Sequence, residues 1–483
     1  MPIAPASPTG DIAGIAFRID RRRPAPVFAQ VYEAIRARIV AGDLAEGARL
    51  PPSRSLAVEL GLSRSTVNAA YDQLVAEGYV EGRQGAGYFV RPMGEVELAA
   101  PRPPARPKPP ARREAATAPA VRPFHPGLPD MRLFPYAQWA RQVARTARAA
   151  PAALVASADP FGDPELRREI ARHIAEWRGV EADPARIVVT AGSGDALEIC
   201  IRTLAAAGDR IGLEDPGYGA LRAFVQSLGL EPVWLDVDGE GACLPTGRGR
   251  PPGMVVLTPS HQFPLGGAMS PARRAAFLAW AAAEGAWIVE DDYDSEFRYS
   301  GRPIPAMAGI DGGRRAIYVG SFSKVFSTSL RLGYLVVPEP LVDAAGATLR
   351  RYGVKASIAA QRPLAEFIRG GEFYRHIRRV RRLYNDRRRA LTEALRRELG
   401  PLARFADHQA GMLIALDLPA HVDDRAIAAE AAAAGLGPHA LSAFHARPTT
   451  ARGLILGFCA STPEEIEAAT PVLAEIVRRH AAR

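Results

Sequence analysis

Only three of the 61 basic residues in this 483-residue chain are lysines, Lys108, Lys324 and Lys355. Lys324 stands in SFSKVFSTSLRLGY, residues 321–334, just after Ser323 and seven residues before Arg331. A guanidinium keeps its proton, whereas an amine can lose one and attack a carbonyl to form a Schiff base. A lysine in a small, polar turn of an arginine-biased chain is therefore a candidate covalent anchor. Ser321, Ser323 and Arg331 supply hydroxyl and guanidinium donors for an anionic group beside it. Rarity alone does not decide the matter, since a leftover surface lysine would look the same.

An aldehyde that carries a phosphate and sits beside a lysine describes pyridoxal 5'-phosphate. Such a cofactor needs a carboxylate for its ring nitrogen, a donor for its ring hydroxyl, an aromatic face and more phosphate contacts. EDDYDSEFRY, residues 290–299, supplies Asp291 for the nitrogen and Tyr293 for the hydroxyl. TAGSGDALEIC, residues 190–200, reads as a strand end, a glycine turn and a helix start, so the N–H groups of Ser193, Gly194 and Asp195 can take phosphate. EDPGYGALRAF offers Tyr218 as a stacking platform, and TPSHQFPLGGAMS, residues 258–270, carries His261 and Gln262. A lone histidine there reads first as structural. Cys200, Cys243 and Cys459 are far apart and form no CxxC pair, so no zinc site or disulfide framework is expected.

These residues need a scaffold. MVVLT (254–258), AWIVE (286–290), AIYVG (316–320) and LGYLVV (332–337) are short apolar runs suited to buried strands, separated by helical patterns. They predict an α/β unit with a mostly parallel sheet over 124–340, and a smaller α+β subdomain over 341–483. Acids directly after a buried strand stand where such folds place ligands. YRHIRRVRRLYNDRRRALTEALRREL, residues 374–399, reads as a helix with a solvated arginine face and an inward apolar stripe.

The first ninety residues follow a different grammar. Phe28, Val31, Ile35 and Ile39 form a helical stripe; Ser53 caps a second helix carrying Leu56, Ala57 and Leu60; Gly61 breaks it and Ser63 caps a third with Val67 and Leu74 inward. YVEG and GYFV pair around RQGAG as a wing. The result is a winged helix-turn-helix over residues 24–92. Arg64, Ser65, Thr66 and Asn68 open the third helix, where a recognition helix meets base edges, and Arg54 and Arg83 serve as backbone anchors. Ser63 joins them at the helix start. The partner expected is double-stranded operator DNA. The net charge of +9 permits this but is a weak guide.

Residues 93–123 are rich in Pro, Ala and Arg without hydrophobic periodicity, which predicts an extended spacer reaching on the order of 90 Å. No run approaches the ~20 apolar residues of a membrane span, and the N-terminus lacks a leader pattern, so a cytoplasmic protein without membrane or metal partners is expected.

LPPSRSLAVELGLSRSTVNAAYDQLVAEGYVEGRQGAGYFV closely resembles the winged helix-turn-helix of GntR-type regulators. From about Phe124 onward the order of glycine turn, PGY, proline–glycine loop, Asp and Tyr after a strand, and SFSK with its arginine resembles fold-type I aminotransferases. The wording EDPGY, PSHQFPLG and EDDYDSEFRY resembles above all the MocR-type regulators, which join the two. The resemblance implies that Lys324 is the Schiff-base lysine, Asp291 the pyridine partner, and Arg331, Ser321 and Ser323 phosphate ligands, in a homodimer. Two positions depart from the pattern: Asp195 stands where a neutral residue is common, and Ile455 where a carboxylate-gripping arginine is common, with Arg452 three residues earlier. The resemblance thus implies a regulator that senses an amine or amino-acid effector through an external aldimine. Two alternatives stay open: a sensor of the cofactor itself, and a working aminotransferase with an added DNA reader.

Overall fold

The structure, a computed structural model, describes residues 9–12, 15–92, 122–156, 159–246 and 249–482. The spacer expected over 93–123 lies outside the described residues except for Arg122 and Pro123. Two compact units divide between Thr117 and Ala118.

In the first unit, helices Val27–Ala41, Ser53–Glu59 and Arg64–Ala76 precede an antiparallel hairpin of Val80–Arg83 and Gly87–Val90. Val31, Ile35, Ile39, Leu56, Leu60, Val67, Leu74, Val80 and Val90 close one core. Phe28, the first member of the expected stripe, is exposed instead. Val27, one turn before Val31, packs against the core, and Gln30 is buried as well, its amide bonding Asp20 through both its oxygen and its nitrogen at 3.0 Å and reaching Ala25 O at 3.1 Å. Ile19 is fully buried in the same core, so the folded unit reaches back before residue 24, and a two-stranded ribbon, Thr9–Ile12 with Ile15–Arg18, precedes it.

The second unit is built on an eight-stranded sheet in the order Ile187–Thr190, Gly333–Val336, Ala316–Ser321, Trp287–Asp292, Met254–Leu257, Arg210–Asp215, Glu231–Asp238, Gly241–Ala242. The five strands from Ala316–Ser321 to Glu231–Asp238 run parallel, with helices between them in sequence except from Glu231–Asp238 to Met254–Leu257, while Gly333–Val336 is antiparallel to both neighbours. Continuous apolar runs such as MVVL are buried throughout, as a strand covered on both faces requires.

A three-stranded sheet of Leu413–Leu418, Arg452–Gly457 and His439–Ala440 forms the smaller part, packed with helices Glu372–Leu399 and Pro463–Ala481. The arginine-rich helix buries Phe373, Ile377, Val380, Tyr384, Leu391 and Leu395, as its stripe predicts. Helices Val342–Tyr352 and Ile358–Arg369 pack on Ser193–Leu204 and Pro164–Arg178 of the larger part, so the two parts interleave around residue 340 rather than separating there. Phe124 bridges to Gly457 and Pro123 O accepts from Gly437 N at 2.7 Å, so the start of this unit lies on the smaller sheet.

Candidate functional site

The strand Trp287–Asp292 runs through all three acids, and the two-residue period of a strand sends them to opposite faces. Glu290 and Asp292 turn to the buried Arg178, whose guanidinium lies 3.6 Å and 2.7 Å from their oxygens. Tyr318 donates to Asp292 Oδ2 at 2.6 Å. Asp291 points the other way, into a pocket it lines with Glu214, Tyr218, Arg222, Thr258 and Phe263. Burial pushes its carboxyl up to about 7, with Asp292, Glu214 and Asp294 adding repulsion and Lys324 opposing it. Its Oδ1 is buried without a hydrogen-bond partner.

Lys324 follows the end of Ala316–Ser321 and donates from Nζ to Gly127 O at 2.5 Å. Burial lowers its pKa, against the pull of Asp294 and Asp291. A desolvated amine between acids is one that gives up its proton more readily than a surface lysine. Tyr293 Oη lies 2.9 Å from His261 Nδ1, and burial raises its pKa well above the usual phenol value. Tyr218 is half exposed at the pocket mouth, edge-on to Phe263 with 6.2 Å between ring centres, and feels the charges of Asp291 and Arg331.

Ser321 Oγ accepts from Ser323 N at 3.1 Å, which ties the turn before the lysine. Gly192, at φ 102°, caps the helix Ser193–Leu204 and brings the N–H groups of its first turn beside that lysine turn. A Cβ at Gly192 would lie 3.6 Å from Ser323 Oγ, and one at Gly333 would fall 2.8 Å from Gly192 Cα. Only glycines allow this approach. Arg331 is exposed with φ 51°. Asp195 does not intrude on the helix mouth: its Oδ2 accepts from Ala191 N at 2.8 Å and its Oδ1 lies 3.6 Å from Lys355 Nζ. The carboxylate is turned back and paired, which removes the conflict with a phosphate.

Several members of this constellation are not evident from the sequence. Gly127 reaches Lys324 across 197 residues. Glu214, pushed up to about 7 by burial, accepts from Thr258 N at 3.1 Å and Thr258 Oγ1 at 2.5 Å. Gln262 ties two loops by donating to Glu214 at 3.3 Å, Pro216 O at 3.0 Å and Phe263 O at 2.8 Å. The one sequence signal for Glu214 is its place before DPGY at a strand end. Ile455 is fully buried with Leu413 and Leu441. Arg452 spends its guanidinium on Thr449 O at 2.8 Å and Ala451 O at 2.9 Å.

In the first unit, Ser63 Oγ caps the third helix by accepting from Thr66 N at 3.1 Å, and lies 2.7 Å from Ser65 Oγ and 2.8 Å from Thr66 Oγ1. Arg54, Arg64 and Ser65 are exposed, and Thr66 and Asn68 half-buried. Arg83 on the wing pairs with Glu81 at 2.6 Å and lies 4.5 Å over the Phe89 ring, so part of its charge is already neutralised. Arg49, absent from the sequence reading, is exposed and bridges to Phe89 of the same hairpin, against Gly87.

Residues 28–90 match the family described as bacterial regulatory proteins, gntR family, and residues 130–469 match aminotransferase class I and II. The chain is 36% identical to a probable rhizopine catabolism regulatory protein MocR from Rhizobium meliloti, covering 92% of each. It belongs to the MocR family of transcription regulators. Within that family it is also 36% identical, over 80% of its own length and 82% of the relative's, to the pyridoxine biosynthesis transcriptional regulator PdxR of Corynebacterium glutamicum. Among solved structures it resembles the α-aminoadipate aminotransferase LysN of Thermus thermophilus, complexed with N-(5'-phosphopyridoxyl)-L-leucine. The identity is 26% and the TM-score 0.66, over 74% of this chain and 92% of that one. The gntR-type unit of a MocR-family regulator implies DNA binding, and the aminotransferase family is in general dependent on pyridoxal phosphate. Among the described residues no group of three or more His, Cys, Asp or Glu forms a metal site, and no helix is long and apolar enough to cross a membrane.

Proposed function

We propose that this regulator holds pyridoxal 5'-phosphate at Lys324 and reads an amine or amino-acid effector in the same pocket, with the outcome expressed as a change in operator binding. The observation that carries the reading is the pairing of an unpartnered, buried Asp291 Oδ1 with a desolvated Lys324 amine close enough for each to feel the other's charge. A pyridinium N–H fits that orphaned acceptor, and a phosphate fits the N–H groups at the start of Ser193–Leu204, beside Ser323 and Arg331. When bound, the cofactor supplies an electrophilic aldehyde carbon that condenses with amines. Lys324 offers the amine, Asp291 holds the ring-nitrogen proton, Tyr293 serves the ring hydroxyl and Tyr218 covers the ring from the pocket mouth.

DNA is read by the third helix of the winged unit, with Arg64, Ser65, Thr66 and Asn68 at the groove, Ser63 fixing the helix start, and Arg54 and Arg83 on the backbone. A homodimer in the cytoplasm belongs to the same reading. For an effector to act, it must bind two arrangements of the protein with different affinity. Purified protein saturated with pyridoxal phosphate tests this directly. The expected result is a visible absorbance band that Lys324→Ala removes, and operator affinity that changes when an amine shifts that band. Unchanged affinity with cofactor and with amines would end the regulatory form of the proposal.

A second reading, in which cofactor level is itself the signal, gains support from Ile455. That position lies in an apolar cluster and Arg452 is bound to its own loop, so neither offers a guanidinium to an effector carboxylate. A relative named for pyridoxine biosynthesis is consistent with it. Operator binding that responds to cofactor alone, with no added amine, would select this reading. Steady turnover of an amino acid with a keto acid would select an aminotransferase instead.

A further inference from the structure

His261 lies in the loop after Met254–Leu257 and is almost wholly buried. Its Nδ1 is 2.9 Å from Tyr293 Oη and 3.2 Å from Asp294 Oδ2. The ring rests on two glycines: a Cβ at Gly411 would come within 1.9 Å of its Cε1, and one at Gly266 within 3.2 Å of its Nε2. The backbone on that side has been kept bare to admit an imidazole. Nε2 is buried without a hydrogen-bond partner, and so is Asp294 Oδ2, which is near Nδ1 but not aligned with it. Behind the ring a polar cavity of about 10 Å³ is lined by Arg178, Ser260, Asp294, Ser295 and Arg298, which is room for one water. Arg298 Nε, also buried, lacks a partner too.

A neutral imidazole carries one proton, so Nδ1 is a donor in one tautomer and an acceptor in the other. With the proton on Nδ1, the ring donates to the Tyr293 oxygen beside Asp294, and the hydroxyl proton of Tyr293 is free to point elsewhere. With the proton on Nε2, Nδ1 instead accepts that hydroxyl proton. The two tautomers therefore direct the Tyr293 hydroxyl proton differently.

We propose that His261 is a positioning residue: it donates Nδ1–H to the Tyr293 oxygen, accepts at Nε2 from a water in the cavity, and so keeps the Tyr293 hydroxyl proton available to the cofactor's ring oxygen. This rests on the cofactor reading above. Asp294, Tyr293, Arg178 and Arg298 face His261 from the strand end and its surroundings, and His408 from the loop before Leu413–Leu418. Second-sphere partners of this kind fix a ligand's tautomer elsewhere in protein chemistry.

The test is the pH titration of the visible band of the full-length, cofactor-saturated protein. His261→Ala is expected to move the apparent pKa of the band by about one unit, a tenfold change in proton affinity. His261→Asn, which restores an N–H near the Nδ1 position, should recover part of the shift. Because His261 acts through Tyr293, adding His261→Ala to Tyr293→Phe should change little more than Tyr293→Phe alone. An intact band with no shift, or full additivity, overturns the proposal. If the alanine variant does not fold, ¹⁵N histidine shifts of the wild-type protein, assigned with His261→Asn, decide it: a proton on Nδ1 supports the assignment and one on Nε2 overturns it. Absence of any Lys324-dependent band in the wild type would remove the cofactor reading itself, and this inference with it.

Discussion

Asp291, Glu214 and Glu290 are acids that the fold keeps out of water, and each is pushed up to about 7, first by burial. Their folded-state values lie above those of an unfolded chain near 4. Between those limits the folded protein binds more protons, so its stability falls as pH rises from about 4 to about 7. Each group contributes up to about 1.4 kcal/mol per pH unit over that window. Denaturant unfolding of the cofactor-free protein at pH 5 and pH 7.5 should show the loss, and Asp291→Asn should narrow the gap by roughly 1–3 kcal/mol. A gap unchanged by the substitution would mean that Asp291 titrates as an ordinary surface acid. The same residue should matter to the cofactor: Asp291→Ala removes a charged hydrogen bond worth about 1.5–3 kcal/mol, so affinity for pyridoxal phosphate should fall roughly 10- to 100-fold by fluorescence or spectral titration.

At the scale of elements, the strand Trp287–Asp292 places its chemistry by alternation, and Arg178 is the cation that faces the two acids on its other face. Arg178→Met would leave Glu290 and Asp292 buried without their cation. A loss of about 3–5 kcal/mol in the larger unit is expected, with Asp291 displaced and cofactor binding lost alongside, measured by denaturation and by spectral titration. The start of the third helix in the smaller unit depends on Ser63, whose cap also gathers Ser65 and Thr66. Ser63→Ala should cost about 1 kcal/mol in that unit. Because the cap orders the turn proposed to meet the groove, operator affinity in gel-shift assays should fall by more than the helix's lost stability alone explains.

The whole molecule consists of two units, each with its own core: Val31 to Val90 close one, and the large sheet with its helices the other. Independent cores imply independent unfolding. Calorimetry of the full chain should give two transitions, and pyridoxal phosphate at 100 times its dissociation constant should stabilise only the larger unit, by about 2.7 kcal/mol. Equal displacement of both transitions would show that the units are thermodynamically coupled when the cofactor binds. Ser63→Ala should move only the other transition, which makes the pair of measurements a check on the assignment.

Much was legible from residue order. Hydrophobic runs of four to six residues marked the strands beneath Asp291 and Lys324, because a strand covered on both faces must be apolar and the ends of such strands are where polar groups can emerge. The capping serine, the turn glycine and the wing hairpin of the first unit are local features, and local chemistry is written in neighbouring residues. What tertiary structure alone decided involves residues far apart: Gly127 on Lys324, Arg178 behind Asp291, and Gly411 making room for His261. It also settled where Asp195 points, since its partners, Ala191 and Lys355, divide between the adjacent turn and a distant loop. The sequence by itself determined which groups this protein possesses for its DNA reader and for the proposed cofactor site, because residue type and local spacing specify them. The proton state and direction of each group depend on burial and on neighbours brought in by long-range packing, and those the folded chain alone decides.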